Sequence, residues 1–276
     1  GEQNQQCFIF TGIPGSGKTA FCSKIIESRR ETVIGYHFCR HDDDRYRSAK
    51  NMLLSLAYQL TMESPHYERR VKNLLIRYSL SRKKLMSDKC SISMIFTEMF
   101  ENLLQEIPVP QNERYCLIID GIDEANDGES GKNEIVDVIR EYFLRLPPWL
   151  GIVITTRTKL NLLKRLRVFN ALVVQPRREH DHDDFMIYFK DILDQNDYSN
   201  EDERQLLADS LRQNAAGSFL FARIIADKID QHIDDDDALL NEYFSCNLER
   251  MLEKEFTILC AEFPDLFHDV IKLSMV

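Results

Sequence analysis

The 276-residue chain has no run of 18 apolar residues, so no segment of the sequence predicts a membrane-spanning helix. Its first residues lack the basic-then-apolar pattern of a secretory signal. An excess of basic charge is missing as well, because 35 Lys and Arg residues stand against 45 Asp and Glu residues, a net charge of −10. This balance argues against nucleic acid and against an anionic membrane surface as partners.

Cysteine arrangements that bind metals or form disulfide frameworks are also missing. The seven cysteines are an odd number, and no two of them form a C-x-x-C pair. Several lie in apolar runs, as Cys116 does before Leu117. We therefore expect reduced thiols that pack as small core residues, and a cytoplasmic location.

The composition is that of a folded globular protein, with 43% apolar and 29% charged residues. A chain of this length predicts about two domains. It begins at Gly1 and stops abruptly at Leu273-Ser274-Met275-Val276. We therefore expect this sequence to be a portion of a longer protein.

Apolar strands alternate with amphipathic helices in the first part of the chain. Runs rich in β-branched and aromatic residues predict strands at 7–11, 32–38, 115–119, 151–155 and 171–174. Helical spacing predicts helices at 18–29, 48–62, 65–79, 91–106 and 135–146, with a basic loop at 81–89. The predicted fold class is therefore α/β, with three layers and a five-stranded parallel sheet.

The pattern changes near residue 177, after which only helices are predicted. Their expected spans are 181–195, 201–214, 218–231, 237–254 and 255–272. We place one domain at 1–176, a helical domain at 177–236 and further helices at 237–276.

A glycine-rich segment separates the first predicted strand from the first predicted helix. Gly12-Ile13-Pro14-Gly15-Ser16-Gly17-Lys18-Thr19 fits the phosphate-binding pattern G-x-x-x-x-G-K-S/T. Glycines allow backbone N–H groups to turn towards phosphate oxygens, and the helix N-terminus adds partial positive charge. Lys18 would reach the β- and γ-phosphates, and the Thr19 hydroxyl would bind Mg²⁺. The expected nucleotide-binding residues are Gly12, Pro14, Gly15, Ser16, Gly17, Lys18, Thr19 and Ala20.

A second segment, about 100 residues later, ends the third predicted strand with acidic residues. Asp120 directly follows the apolar run, and Asp123 and Glu124 come within one further turn. Ligands of open α/β sheets bind at the carboxyl ends of the strands, so we expect Asp120 to meet Mg²⁺ there, through water. Either Asp123 or Glu124 would orient or deprotonate an attacking water, and the sequence leaves that choice open.

The fourth predicted strand ends in two hydroxyls and a guanidinium, Thr155-Thr156-Arg157. A guanidinium pairs well with phosphate. Arg157 is therefore expected to contact the γ-phosphate and to distinguish a nucleoside triphosphate from a diphosphate.

These three segments, in this order, resemble the NACHT branch of the STAND signalling ATPases, which are relatives of the AAA+ proteins. The segments at 36–40 and 217–222 are similar as well. The resemblance implies an ATP/ADP switch with Mg²⁺, a helical lid at 177–236 and the start of a truncated winged-helix domain at 237–276. It also implies slow hydrolysis and self-association through ATPase modules, with repeat or effector domains outside this sequence.

Other functions fit the same phosphate loop. One is an AAA+ initiator or remodelling ATPase, although such motors commonly carry Asn where this chain has Thr156-Arg157. Gly121-Ile122, inserted between Asp120 and Asp123, also argues against a motor. Another alternative is a scaffold that binds nucleotide without hydrolysing it. A small-molecule kinase would need an acceptor-site motif, and the sequence contains none.

Overall fold

The computed structural model describes residues 6–80, 82–87, 90–107, 114–126, 132–175, 178–195 and 201–231, together with 250, 251, 253 and 257. Backbone contacts divide the chain into two units. The sheet unit comprises Gly1–Gly12 and Lys18–Gln175, and the helical unit comprises Ile13–Gly17 and Pro176–Val276. None of the described helices is long and apolar enough to cross a membrane.

The sheet unit is built on a parallel sheet. Its strands are β1 Cys7–Thr11, β2 Val33–Phe38, β3 Tyr115–Asp120, β4 Leu150–Thr156 and β5 Leu172–Val174. They are hydrogen-bonded in the order β2-β3-β4-β1-β5, and every neighbouring pair is parallel. The predicted α/β class with a five-stranded parallel sheet is therefore confirmed.

Helices connect the strands of the sheet unit. They are α1 Lys18–Ser28, α2 Asp44–Arg47, α3 Ala49–Glu63, α4 Pro65–Arg77, α5 Arg82–Leu85, α6 Ile92–Phe96, α7 Asn102–Gln105, α8 Glu134–Tyr142 and α9 Leu160–Arg165. Serine caps explain where two of them begin: Ser48 Oγ accepts a bond from Asn51 N, and Ser64 Oγ accepts one from Tyr67 N. Pro65, which lacks an N–H group, stands at the start of α4.

The structure corrects two details of the predicted helices. The basic loop predicted at 81–89 contains the single turn α5, because Arg, Lys and Leu are good helix formers. The helix predicted at 135–146 ends at Tyr142, and a 3₁₀ turn, Phe143–Arg145, carries the chain to Pro147.

A π-helical turn interrupts the helix predicted at 91–106. Thr97–Glu101 forms this turn between α6 and α7. A π turn displaces carbonyl groups from their usual partners four residues along. The buried Tyr67 hydroxyl donates to one of these carbonyls, Met99 O, at 2.7 Å. Tyr67 therefore supplies a hydrogen bond at the point where the helix is irregular.

The interior strand β3 is buried on both faces of the sheet. Leu117 and Ile119 of β3 pack in the main core with Ile9 and Ile154, whereas Ile118 packs on the opposite face with Cys22 of α1. This arrangement explains why β3 is a continuous apolar run rather than an alternating one.

The helical unit has a core of its own. Its helices are α10 Arg178–Gln195, α11 Glu201–Ala215 and α12 Phe219–Gln231. Phe185, Phe189, Leu211, Phe221 and Ile225 are buried together in this core. The helices predicted at 181–195, 201–214 and 218–231 are confirmed. Those predicted at 237–254 and 255–272, with the winged-helix region, lie outside the described residues apart from 250, 251, 253 and 257.

Within the helical unit, the glycine-rich loop caps α12. The N–H groups of Phe219 and Leu220 donate to Gly15 O at 2.9 and 3.3 Å, and Phe221 N donates to Ser218 Oγ at 3.2 Å. The first amides of α12 have no partner inside their own helix, so these bonds satisfy them. Gly15 has φ +76°, and a Cβ there would lie 2.4 Å from Ser218 Oγ, so this position requires glycine.

Candidate functional site

Three neighbouring strands bring the predicted site residues of the sheet unit to one edge of the sheet. In the register of the sheet, Thr11 of β1 pairs with Thr156 of β4. Ile119 of β3 pairs with Ile154 of β4. Asp120 therefore ends β3 beside the end of β4. Gly12 N donates to Thr156 O at 3.3 Å, which ties the start of the glycine-rich segment to the same edge.

Thr19 and Asp120 are in contact although 101 residues separate them in the sequence. The Thr19 hydroxyl, in the first turn of α1, donates to Asp120 Oδ2 at 2.7 Å. Asp120 Oδ1 accepts a bond from Thr155 Oγ1, which in turn accepts one from Gly121 N at 2.8 Å. The Asp120 carboxylate is thus held between α1 and the end of β4.

The Thr19 hydroxyl and the Asp120 carboxylate fit a magnesium ion. Both present oxygen, the ligand type that Mg²⁺ prefers, and Mg²⁺ commonly takes one or two carboxylates together with waters and phosphate oxygens. The described residues contain no group of three or more His, Cys, Asp or Glu side chains that would form a protein-only metal cage. These two residues therefore suit a metal ion that arrives with a phosphate ligand.

A tight turn after β3 gives Asp123 and Glu124 different environments. Gly121 adopts the left-handed conformation, with φ +65°, and Glu124 N donates to Gly121 O at 2.8 Å. The following 3₁₀ turn buries Asp123, whose side chain is 3% exposed, and leaves the side chain of Glu124 34% exposed.

Asp123 contacts the end of β4. Its Oδ1 accepts a bond from Arg157 N at 2.9 Å and lies 3.3 Å from Thr156 Oγ1. Its Oδ2 lies 3.2 Å from Arg157 Nε. The structure therefore brings together two residues that the sequence had assigned to separate roles.

Glu124 lies between two cationic or basic side chains. Its carboxylate oxygens are 3.9 Å from Arg157 Nη2 and 3.9 Å from His41 Nδ1. Sequence reasoning did not include His41 in the site. The sequence signal that could have identified His41 is its position in the polar loop after β2, because β2 is the neighbour of β3 in the sheet.

Lys18 lies at the start of α1, where its Nζ donates to Gly12 O at 3.0 Å. Burial lowers the pKa of the Lys18 amine below its ordinary value, and the charge of Asp123 opposes part of that shift. A buried ammonium group is costly, so a negatively charged ligand beside Lys18 would be favoured.

Two buried thiols lie near the acidic residues. Burial, and after it the charge of Asp120, raises the pKa of both the Cys22 and the Cys39 thiols well above their ordinary range. These thiols therefore stay protonated and pack as small apolar groups, as the sequence predicts.

The remaining predicted nucleotide-binding residues lie on one continuous segment. Ile13–Gly17 belongs to the helical unit and Ala20 to the first turn of α1. Gly17, like Gly15, has positive φ, at +80°. Ser16 is buried, and its N–H group donates to Ile13 O at 3.3 Å.

A parallel sheet with a phosphate-loop sequence after β1, and a threonine–aspartate pair at the start of α1 and the end of β3, defines a P-loop NTPase fold. The chain belongs to the family described as Nephrocystin 3, N-terminal, whose model matches residues 1–157.

Three solved structures are similar to this chain at low sequence identity. The Walker-type ATPase PABY2304 of Pyrococcus abyssi is 15% identical with a TM-score of 0.50, over 98% of this chain and 73% of that protein. Cdc6p of Pyrobaculum aerophilum is 16% identical with a TM-score of 0.44, over 82% of this chain and 56% of that protein. The ORC2 protein of Aeropyrum pernix in its ADP form is 11% identical with a TM-score of 0.46, over 87% of this chain and 62% of that protein. The similarity to the Pyrococcus ATPase supports the fold alone, and TM-scores below 0.5 do not establish a shared fold.

Proposed function

We propose that this chain is an ATP- and ADP-binding signalling ATPase module of the STAND class, similar to NACHT modules. The contact between Thr19 and Asp120 carries the proposal. These two residues were assigned to Mg²⁺ from two separate sequence motifs, and Thr19 Oγ1 lies 2.7 Å from Asp120 Oδ2. This contact supports a metal–nucleotide site at the carboxyl edge of the sheet.

The proposed binding residues are those of the glycine-rich segment. The segment containing Gly12, Pro14, Gly15, Ser16 and Gly17, followed by Ala20, would surround the phosphates. Gly15, Gly17 and Ala20 would contribute backbone N–H groups, and Lys18 would neutralise part of the phosphate charge. Thr19 and Asp120 would hold Mg²⁺. When bound, the metal would offset negative charge on the β- and γ-phosphate oxygens.

Glu124 is the proposed group that orients and deprotonates the attacking water. Its side chain is 34% exposed, so water has access to it, whereas that of Asp123 is 3% exposed. Arg157 is the proposed contact for the γ-phosphate. Its side chain is 46% exposed, and its backbone N–H group is bound to Asp123.

The module would act as a switch because ATP and ADP make different phosphate contacts and so favour different states. In this proposal, 177–236 is the lid and 237–276 begins a winged-helix domain. Turnover is slow, and the partners are other ATPase modules and domains outside this sequence. In this proposal the protein is cytoplasmic and has no membrane partner, and its net charge of −10 argues against nucleic acid as a partner.

Nucleotide binding is tested by thermal unfolding with Mg²⁺ and ATP or ADP. At 100 times the dissociation constant, a ligand stabilises the folded state by about 2.7 kcal/mol. For a protein of this size we expect the melting temperature to rise by roughly 5–10 °C. Lys18→Ala should largely remove this shift, because it deletes the ammonium group beside the phosphates.

Lys24→Ala is the matched control. Lys24 lies on the same helix but pairs with Glu27 at the surface, with its side chain 74% exposed. The shift should persist in this variant. A shift that also persists in Lys18→Ala would overturn the proposal.

Mass spectrometry of nucleotide released from the purified protein separates the alternatives, since ADP favours a switch and unhydrolysed ATP favours a scaffold. Fast hydrolysis stimulated by a substrate would favour a motor.

A further inference from the structure

We infer that Asp123 is a positioning residue that holds Arg157 and thereby sets the preference of the site for ATP over ADP. The inference rests on the proposed function, because it needs a nucleotide at this edge of the sheet. The sequence leaves open whether Asp123 or Glu124 deprotonates water. If Asp123 holds Arg157, Glu124 is the base.

Both carboxylate oxygens of Asp123 are engaged by the end of β4. Arg157 N donates to Oδ1 at 2.9 Å, and Thr156 Oγ1 lies 3.3 Å from the same oxygen. Arg157 Nε lies 3.2 Å from Oδ2, and Lys159 Nζ lies 4.0 Å from it. With its side chain 3% exposed, Asp123 is a buried carboxylate that is compensated by cationic and N–H groups.

A general base must reach a water molecule and accept its proton. The oxygens of Asp123 instead face donors that belong to the protein, and a proton on this carboxylate would weaken its pairing with Arg157. The neighbouring Glu124 has a side chain that is 34% exposed, and it lies 3.9 Å from Arg157 Nη2 and from His41 Nδ1. Glu124 therefore suits the base, and Asp123 suits the fixing of another side chain.

Arg157 is held at two points by the same carboxylate. The bond to its backbone N–H group fixes where the chain leaves β4, and the contact at Nε fixes the start of the guanidinium group. A guanidinium has five N–H donors, so contact at Nε leaves the Nη donors directed away from Asp123, with Nη2 3.9 Å from Glu124. A phosphate would be contacted by these Nη donors. Preorganisation of this kind increases affinity because less side-chain freedom is lost on binding.

Asp123 and Arg157 also act on Lys18 in opposite directions. The charge of Asp123 raises the pKa of the Lys18 amine, and that of Arg157 lowers it, against a larger lowering by burial. Removing the charge of Asp123 therefore changes the attraction for every phosphate ligand, ATP and ADP alike. ATP carries more negative charge than ADP, so loss of the Asp123 charge would by itself raise the preference for ATP. A fall in that preference in Asp123→Asn therefore reports the role of Arg157.

The experiment is a double-mutant cycle on the full chain with Asp123→Asn, Arg157→Ala and the double variant. ATP and ADP affinities are measured by calorimetry with Mg²⁺. Arg157→Ala should lower the preference for ATP over ADP by roughly 10- to 150-fold, the value of one charged hydrogen bond. Asp123→Asn should lower the same preference by up to that factor. The double variant should lose no more than Arg157→Ala alone, because Asp123 acts through Arg157.

Three results would overturn the inference while leaving the proposed function intact. The first is additive loss in the double variant. The second is an Asp123→Asn variant that weakens ATP and ADP equally, which would indicate general support of the fold. The third is unchanged affinities but much slower hydrolysis when Asp123→Asn is introduced, both in the wild-type chain and in Arg157→Ala. This result would make Asp123 the base. A wild-type chain that binds no nucleotide would overturn the proposed function, and the inference with it.

The design includes a control and a second variant. Asp137 pairs with Arg165 elsewhere in the sheet unit, so Asp137→Asn should leave both affinities unchanged. If Asp123→Asn does not fold, Glu124→Gln decides: loss of hydrolysis with intact binding supports Glu124 as the base and Asp123 as the positioning residue. Hydrolysis at the wild-type rate in Glu124→Gln overturns the inference.

Discussion

Asp123 and Glu124 are adjacent acids that look equivalent in the sequence, yet they differ about tenfold in exposure, at 3% and 34%. The left-handed Gly121 and the 3₁₀ turn after it produce this difference, because they direct consecutive residues to different surroundings. A sequence pattern identifies the acidic residue types, but the separation of their roles depends on which of them the turn buries.

Glu124→Gln should slow ATP hydrolysis by about 10²- to 10⁴-fold, the usual contribution of a general base. Nucleotide affinity should stay near the wild-type value, because the amide keeps the size of the side chain. Single-turnover hydrolysis and calorimetric titration measure the two quantities separately.

Asp120→Asn is the contrasting variant of this prediction. It removes the charge proposed to face Mg²⁺, so the nucleotide affinity that depends on Mg²⁺ should fall. Glu27→Gln is the control, because Glu27 is an exposed acid of α1 paired with Lys24, and it should change neither quantity. Normal hydrolysis in Glu124→Gln, combined with an inactive Asp123→Asn, would mean that the base is assigned to the wrong carboxylate.

The residue types of the site could be predicted from the sequence because each belongs to a short local motif. The Thr19–Asp120 pairing also follows, since parallel strands place their carboxyl ends at one edge. The contacts between Asp123 and Arg157 could not be predicted. It depends on the turn at Gly121 and on the register between strands, both of which involve residues distant in the sequence.

At the scale of single elements, the π turn Thr97–Glu101 accepts a hydrogen bond from a side chain of another helix. Tyr67 of α4 is fully buried, and its hydroxyl donates to Met99 O at 2.7 Å. Burial also raises the pKa of the Tyr67 hydroxyl well above its ordinary value, so it remains a protonated donor. The hydrogen bond thus links α4 to the irregular part of the neighbouring segment.

Tyr67→Phe should lower the free energy of unfolding by about 1–3 kcal/mol, because the carbonyl of Met99 loses its partner in a buried place. Urea unfolding measures the change, which should appear in the midpoint rather than the slope. Tyr58→Phe is the matched control: Tyr58 lies on α3 with 67% exposure, and its replacement should have little effect. Equal stability of Tyr67→Phe and the wild type would show that another group satisfies Met99 O.

The elements that the sequence predicted well are those with strong local signals. Apolar spacing predicted α3 and α4 to within one or two residues. The π turn was missed because the apolar spacing of 91–106 is that of one regular helix, and the hydrogen bond to Met99 O comes from Tyr67, which lies outside that segment. The turn α5 was missed because its basic residues suggest a solvated loop, although Lys84 Nζ donates to Ser79 O at 2.9 Å beside it.

For the whole molecule, the alternation of strands and helices was enough to predict the fold. Right-handed parallel connections leave few arrangements for five apolar strands, and the observed order β2-β3-β4-β1-β5 places β1 between β4 and β5. The exact order was not predicted, because it depends on how the helices cover both faces of the sheet. The sequence also did not show that Ile13–Gly17 groups with the helical unit. Within that segment, Gly15 O accepts hydrogen bonds from the N–H groups of Phe219 and Leu220, which are about 200 residues away in the sequence.

The net charge of −10 makes copies of this chain repel one another at low ionic strength, so association requires a specific interface. If the module is a nucleotide switch, Glu124→Gln with Mg²⁺ and ATP should form larger assemblies in about 0.15 M salt, where the repulsion is screened beyond about 8 Å. The same variant with ADP, and Lys18→Ala with either nucleotide, should stay at the smaller size. Light scattering after size-exclusion chromatography measures the mass directly. A single mass under all four conditions would argue that any nucleotide bound to this chain supports its fold without switching its assembly, as expected of a scaffold.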